Sequence, residues 1–214
     1  MATRVLGISS SPRHDGNSDL LLRSALDGVA AAGGHVEYMH LDDLTIGHCR
    51  ACDACWKTGR CRWEDDDYPQ LYRRLVDVDR LIFATPVHFL AVSSAAKIAI
   101  DRCQCLWART YILKQSIPST LPGGRLGMVI STGGSRNTRM FDCVRLTMQY
   151  FFDALQMKHA SSLFVNCVDD RGAIRNHPTA LAEAYRLGGL LVTTDCAPCS
   201  PLEVELYGTE KITR

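Results

Sequence analysis

The 214-residue sequence has no long apolar run, and nothing in it approaches the ~18 consecutive apolar residues that a membrane-crossing helix needs. It has no excess of either charge, with 24 Lys+Arg against 23 Asp+Glu. Neither nucleic acid nor an acidic membrane surface is therefore expected as a partner. Internal repeats and low-complexity stretches are missing. A composition 46% hydrophobic and 22% charged excludes disorder, collagen and coiled coil. There is no three-glycine dinucleotide fingerprint and no Walker loop with its lysine. No convincing nucleophile–base pair stands out, so hydrolytic classes rank low and no side chain receives a catalytic role. Met1-Ala2-Thr3-Arg4 runs straight into an apolar strand pattern without a signal-peptide core, so a cytoplasmic location is expected.

What the sequence does have is cysteine. Ten cysteines in 214 residues stay below the ~8–10% of a small disulfide scaffold. In a reducing compartment, clustered cysteines point to metal, cluster or redox chemistry rather than to disulfides.

Strand and helix patterns alternate along the chain. Val5–Ile8 is a short apolar run feeding a Ser/Gly/Pro loop, and Asn17–Ala32 carries apolar residues at helical spacing until Gly33-Gly34. His35–His40 alternates as strand two. Residues from about 42 to 67 are polar and cysteine-rich, with Asp65-Asp66-Asp67 as N-cap candidates for a helix through Leu71, Leu75 and Val76. Strand three is Arg80–Ala84, followed by a helix over Ser93–Arg102. Strand four is Leu126–Ser131, followed by a helix over Met140–Leu155. Strand five is Lys158–Val165, followed by a helix over Thr179–Thr193. Five strands joined by helical crossovers predict an α/β fold with a doubly wound, five-stranded parallel sheet of flavodoxin-like order, carrying the cysteine-rich loop after strand two.

Ligands bind such sheets at the carboxyl ends of the strands. After strand one, Ser9-Ser10-Ser11-Pro12-Arg13-His14-Asp15-Gly16-Asn17-Ser18 feeds a helix N-terminus. Its hydroxyls, the N–H groups of the first helical turn and Arg13 suit a dianionic phosphate, with Asn17 or Ser18 able to cap the helix. After strand three, Thr85-Pro86-Val87-His88-Phe89 is a stiffened loop beside an aromatic residue, suited to a flat heterocycle. After strand four, Thr132-Gly133-Gly134 lets backbone approach a ligand closely.

Cys49, Cys52, Cys55 and Cys61 form C-x2-C-x2-C-x5-C. Three thiolates at three-residue intervals and a fourth nearby favour a [4Fe–4S] cluster. Zinc, and cysteines without any metal, remain open alternatives. Lys57, Arg50, Arg60 and Arg62 surround the motif with positive charge, which stabilises thiolates. Cys143 and Cys167 read as small core residues, Cys103 and Cys105 follow a helix end, and Cys196-Ala197-Pro198-Cys199 lacks the setting of a thioredoxin motif.

Gly7-Ile8-Ser9-Ser10-Ser11-Pro12-Arg13 through Gly16-Asn17-Ser18 resembles the phosphate loop of NAD(P)H-dependent FMN reductases and iron–sulfur flavoproteins, in the flavodoxin-like superfamily. The family's form is Gly-Ser-Pro-Arg-x-x-Gly-Asn-Ser/Thr, and Ser10 stands here for its first glycine. The resemblance implies that Ser9, Ser11, Arg13, Asn17 and Ser18 hold the phosphate of FMN. It implies that Thr85, Pro86, Val87, His88 and Phe89 line the isoalloxazine, with His88 in place of the usual Tyr, and that Thr132, Gly133 and Gly134 sit at the flavin edge where a nicotinamide approaches. Ser93, Lys97, Asp101 and Arg102 match the family's next helix, and Ser93 is counted with the cofactor residues. The cysteine spacing is similar to the compact cluster motif of iron–sulfur flavoproteins, which implies Cys49, Cys52, Cys55 and Cys61 as ligands.

The resemblance extends to about residue 155. The expectation is a single FMN-binding domain over 1–214. Its function would be electron transfer from NAD(P)H or a ferredoxin-like donor to an acceptor, through FMN and a [4Fe–4S] cluster, in a homodimer or homotetramer. A flavin-only FMN or quinone reductase and a zinc-stabilised binding module are the alternatives.

Overall fold

The computed structural model describes residues 2–195 and 200–208. Its strands are β1 Arg4–Ser9, β2 His35–His40, β3 Arg80–Pro86, β4 Arg125–Thr132, β5 Met157–Asn166 and β6 Leu202–Tyr207. The helices are α1 Asn17–Ala31, α2 Cys55–Thr58, α3 Tyr68–Asp77, α4 Ser94–Arg102, α5 Gln104–Trp107, α6 Asp142–Ala154 and α7 Ala180–Thr193. All strand pairs are parallel, in the order β2-β1-β3-β4-β5-β6. The first five strands have the flavodoxin-like order expected from the alternation. None of the described helices is long and apolar enough to cross a membrane.

The sixth strand corrects the expectation of five. β6 adds to the edge at β5, with Leu202 opposite Ser161 and Tyr207 opposite Asn166. Val204 and Leu206 pack on one core, while Glu203 and Glu205 pair with Arg145 of α6. Arg145 Nε donates to Glu203 Oε2 at 2.9 Å. A short edge strand with charge at every second position gives little apolar signal, and it is held by its ladder to β5, by Val204 and Leu206, and by the arginine across the fold. Cys196 and Cys199, which precede β6 in the chain, lie outside the described residues.

The inner strands β1, β3 and β4 and most of β5 are buried on both faces, which explains their nearly continuous apolar character, whereas the edge strands β2 and β6 are more exposed. Along β3, Leu81 and Phe83 enter a core with α3, α4 and α6, while Ile82 and Ala84 enter one with α1 and α7. Helices α1 and α7 meet backbone to backbone. A Cβ added at Gly28 would lie 1.9 Å from the Tyr185 carbonyl oxygen, and one at Gly188 would lie 1.9 Å from that of Ala25.

Two buried arginines close the amino-terminal edge of the sheet. Arg80 Nε donates to the Leu191 carbonyl at 3.0 Å, and its Nη1 donates to that of Gly124 at 2.7 Å. Arg125 donates to the carbonyls of Val78, Leu75 and Leu155. Leu191, Leu75 and Leu155 lie at the carboxyl ends of α7, α3 and α6, where orphan carbonyls and the negative helix pole favour a cation. Burial pushes Arg125 down to about 10, so it remains charged at neutral pH.

The α1–α7 contact is testable. Gly188→Ala should cost about 2–3 kcal/mol, because backbone cannot move aside as a side chain can. Gly189→Ala, whose added Cβ would meet its nearest atom at 3.4 Å, should be close to neutral. Urea unfolding of the two variants measures the difference, and equal midpoints would refute the close packing.

Candidate functional site

Because every strand runs the same way, the loops after β1, β3, β4 and β5 gather at one edge of the sheet. They enclose a cleft of about 220 Å³. Of the residues singled out from the sequence, Ser11, Arg13, Asn17, Ser18, Pro86, Val87, His88, Thr132, Gly133 and Gly134 line it. Val168, Asp169 and Arg171, after β5, also line it and carried no signal in the sequence. The loops are cross-tied, with Val87 N–H donating to the Thr132 carbonyl at 2.8 Å and Gly133 N–H donating to that of Val165 at 3.0 Å.

The α1 N-terminus differs from its expected capping. Gly16 is the N-cap and offers no side-chain oxygen, so neither Asn17 nor Ser18 caps the helix. The amide of Asn17 is spent elsewhere, donating to the Asp170 carbonyl at 2.9 Å and accepting from Ile174 N–H at 3.1 Å. Asn17 therefore fixes the segment after β5 against α1. The first-turn acid, Asp19, is buried and turned to Tyr38 Oη at 2.6 Å and Arg23 Nε at 3.1 Å. Ser11 Oγ lines the cleft but folds back on its own loop, donating to the Arg13 carbonyl at 2.9 Å and accepting from Arg13 N–H at 3.0 Å, so the uncapped first turn, Ser18 and Arg13 are the anion-binding set left at the cleft.

Four predicted residues do not line the cleft. Ser9 is buried at the end of β1, and its Oγ has no hydrogen-bond partner. Thr85 Oγ1 accepts from Ser93 N–H at 3.1 Å. Ser93 caps α4, accepting from Ala96 N–H at 3.2 Å, and donates to the Ser10 carbonyl at 2.7 Å. These two residues shape the loops. Phe89 is fully exposed at a tip where it and Leu90 both have positive φ, 49° and 61°. Lys97 pairs with Asp101 at 2.7 Å on the exposed face of α4.

The cysteine loop forms a second cavity of about 30 Å³, lined by Cys49, Cys52, Cys55 and Cys61. Ala51 and Asp53 have positive φ, 47° and 54°, which winds the chain between successive cysteines. Within the loop, α2 forms a single turn after Ala54 and ends at the left-handed Gly59. Burial pushes the Cys55 thiol up, and Cys49, Cys52 and Cys61 push it further in the same direction, so the four thiols share one electrostatic site. The described cysteines are free thiols. Among the described residues, no three of these sulfurs all lie within 4.8 Å of one another. One tetrahedral zinc with Zn–S bonds of about 2.3 Å needs sulfurs about 3.8 Å apart, so the set is wider than a single ion requires. A cubane spreads its ligands over four iron corners and suits the wider set.

Three further features of this cavity escaped the sequence. Cys105, counted among the scattered cysteines, lines it. Burial pushes its thiol up to about 11, and it sits 3.0 Å from Tyr68 Oη. Arg102 and Trp63 also line the cavity, and each has a buried nitrogen without a hydrogen-bond partner, Arg102 Nε and Trp63 Nε1. Arg50 and Arg62 stack on Trp63, with guanidinium carbons 3.9 and 5.3 Å from the ring centre. Cys143, expected in the core, is exposed, while Cys167 is buried as expected.

Arg102 and Asp66 clamp this loop to the fold. Arg102 Nη1 donates to the Gly47 carbonyl at 2.9 Å and to Asp66 Oδ2 at 2.5 Å. Its Nη2 donates to the Trp63 carbonyl at 2.6 Å. Asp66 accepts from Gly47 N–H at 2.9 Å and Tyr68 N–H at 3.0 Å. Asp67, the α3 N-cap residue, makes no side-chain cap and instead accepts from Thr45 N–H at 2.8 Å. The acidic run thus serves the cysteine loop more than the helix it precedes.

The sequence profile of the NADPH-dependent FMN reductases matches residues 3–169. An iron–sulfur flavoprotein of Methanocaldococcus jannaschii is 31% identical over 134 residues, 63% of this chain and 64% of that protein. One of Archaeoglobus fulgidus is 33% identical over 132 residues, 62% of this chain and 63% of its own length. The match thus spans under two thirds of either relative. A second Methanocaldococcus jannaschii iron–sulfur flavoprotein is 32% identical over 148 residues, 69% of this chain and 70% of that one. In fold, the chain is similar to an NAD(P)H:quinone oxidoreductase from Methanothermobacter marburgensis, with a TM-score of 0.65 at 15% identity over 89% of this chain and 98% of that one.

Burial raises the Asp66 carboxyl, but Arg102 and the N–H groups of Gly47 and Tyr68 outweigh it and hold it below the usual carboxylate range. A depressed folded value gives stability that is full above the ordinary carboxylate value of about 3.9 and disappears as pH falls through the folded value. Amide exchange at Gly47 and Tyr68 should therefore accelerate as pH drops below about 4, beyond the intrinsic rate change. Asp66→Ala should cost about 3 kcal/mol at neutral pH, because it strands a buried guanidinium. Unfolding measured at both pH values checks the sign.

Proposed function

The chain belongs to the NADPH-dependent FMN reductase family, and on that premise we propose that it is a flavin-dependent electron-transfer protein with FMN in the cleft and a [4Fe–4S] cluster in the cysteine loop. The observation that carries this reading is the pairing of two differently built cavities on one sheet edge and its adjoining loop. One offers anion donors and a close-walled slot, and the other offers thiols and unpartnered N–H groups.

The fit to FMN rests on the donor set. Arg13, Ser18 and the first-turn N–H groups of α1, left without a side-chain cap, suit a phosphate dianion, and Ser11 can join them by turning its hydroxyl from the Arg13 carbonyl. Pro86, Val87 and His88 on one side and Thr132, Gly133 and Gly134 on the other suit a flat ring system. Gly134 has a steric reason, since a Cβ there would come within 2.9 Å of Asp169. The fit to a cluster rests on Trp63 Nε1 and Arg102 Nε, buried donors that sulfur acceptors would satisfy. Cys49, Cys52, Cys55 and Cys61 are the ligands in this reading.

When bound, the flavin supplies two-electron chemistry with a nicotinamide and the cluster supplies one-electron chemistry. The protein would position both groups, wall the cleft with Val87, and set charge around the thiolates through Arg50 and Arg62, with Arg102 as an oriented donor. NAD(P)H or a ferredoxin-like protein is the proposed donor, and a homodimer or homotetramer the proposed assembly. A flavin-only reductase is the second reading, favoured by the profile match itself.

Anaerobic purification followed by flavin, iron and sulfide analysis separates the readings. Flavin with about four irons per chain is expected. Flavin without iron, with rapid oxidation of a reduced nicotinamide, leaves the flavin-only reductase, and zinc without flavin refutes both. Arg13→Ala should raise the FMN Kd about tenfold or more, the usual worth of a charge-assisted hydrogen bond. Lys97→Ala, which breaks only an exposed pair, should leave it nearly unchanged. Equal dissociation constants would overturn the phosphate assignment.

A further inference from the structure

We propose that His14, His40 and Asp43 bind a divalent transition-metal cation of the zinc class, at a site separate from the cysteine loop and independent of the flavin and cluster reading. Two observations carry this. The first is convergence. Among the described residues, these three form the one group of His, Cys, Asp or Glu whose ligand atoms all lie within 4.8 Å of one another. His14 Nε2 is 3.0 Å from Asp43 Oδ1, and the half-exposed His14 ring, stacked on His40 with centroids 4.0 Å apart, needs to turn to bring its nitrogen lone pair onto an ion shared with His40.

The second is an orphaned buried group. His40 is only 3% exposed, yet neither of its ring nitrogens has a hydrogen-bond partner. Leaving a buried polar atom unsatisfied costs about 1–3 kcal/mol, so native structures supply it with water or an ion. The His14–Asp43 pair accounts for those two side chains without a metal, but it does nothing for His40. A cation shared by all three does.

The chemistry of the set narrows the ion. Two imidazoles and one carboxylate match zinc with a fourth position left for water. Calcium and magnesium require more oxygen ligands than the site offers. His14 and Asp43 are each about half exposed, with side chains 51% and 58% accessible, so the site opens to solvent and can adjust around an ion.

The position gives the site a consequence. His14 lies in the β1–α1 loop beside Arg13, His40 ends β2, and Asp43 sits in the short turn Leu41–Asp43 that leads to the cysteine loop. A bound ion would therefore cross-link the anion-binding loop to the entrance of the cysteine loop.

Cobalt(II) is a coloured probe for such a site, because thiolate ligands add an intense charge-transfer band that nitrogen and oxygen ligands lack. Titration of the full chain should reveal one cobalt bound with ligand-field absorption alone, and this signal should persist in Cys52→Ser/Cys55→Ser. His14→Ala and Asp43→Asn alter exposed groups and should each weaken it at least about tenfold, since even partners one shell out from a metal are worth that much. His40→Gln should abolish it, and if that variant misfolds the two exposed variants still decide. The proposal is overturned if no cobalt binds. It is also overturned if all cobalt absorption carries the thiolate band and vanishes in Cys52→Ser/Cys55→Ser, or if His14→Ala and Asp43→Asn bind cobalt like the parent.

Discussion

A guanidinium buried as deeply as Arg102 must be neutralised and hydrogen-bonded, or the surrounding chain cannot close over it. Its partners come from both ends of the cysteine loop, the Gly47 carbonyl before the cysteines and the Trp63 carbonyl and Asp66 after them. One side chain on α4 thus fixes the span of a loop that has little regular structure of its own. The same helix is tied at its other end, where Ser93 caps it and bonds the Ser10 carbonyl. Helix α4 is nine residues long, so it spans about 13 Å at the α-helical rise. It is a strut between the loop after β1 and the cysteine loop, and the relative placement of the two proposed cofactor sites depends on it.

The sheet divides the labour between its edges. At the amino-terminal edge, Arg80 and Arg125 bond carbonyls at the ends of α7, α3 and α6 and the Gly124 carbonyl before β4. At the carboxyl edge, the loops are tied to one another by backbone bonds but keep hydroxyls, glycines and an uncapped helix start facing the cleft. Stability is thus concentrated away from the ligand edge. Glycine serves both purposes. At Gly28 and Gly188 it lets helix backbones touch, and at Gly134 it lets the loop lie against Asp169.

Most of the architecture was legible because it follows from period and punctuation. The five strands, the helices between them and the position of the cysteine loop all carry local signals. Ten of the predicted cleft residues line the cleft because a parallel sheet brings the loops after β1, β3 and β4 to one edge whatever their detailed conformation. What stayed illegible depends on partners far along the chain. Asn17 has the residue type of a cap, but its amide is used by residues 170 and 174. Asp66 and Arg102 look like a helix-start acid and a helix-end base, and only the fold pairs them. β6 pairs its acids with Arg145 of α6, and Val168, Asp169 and Arg171 line the cleft without any motif in the sequence.

The charge around the cysteine pocket follows from these long-range pairs. Arg102 is adjacent to the thiols, but its charge is shared with Asp66, so its Nε acts there chiefly as an oriented donor. Trp63 Nε1 is a second such donor and carries no charge. The net positive charge comes instead from Arg50 and Arg62, held over the indole face by cation–π contact. Removing Trp63 would therefore take away a donor and also the ring that holds these two exposed guanidinium groups beside the thiols. An aromatic residue that looks like an incidental neighbour of a cysteine motif is what concentrates its electrostatics.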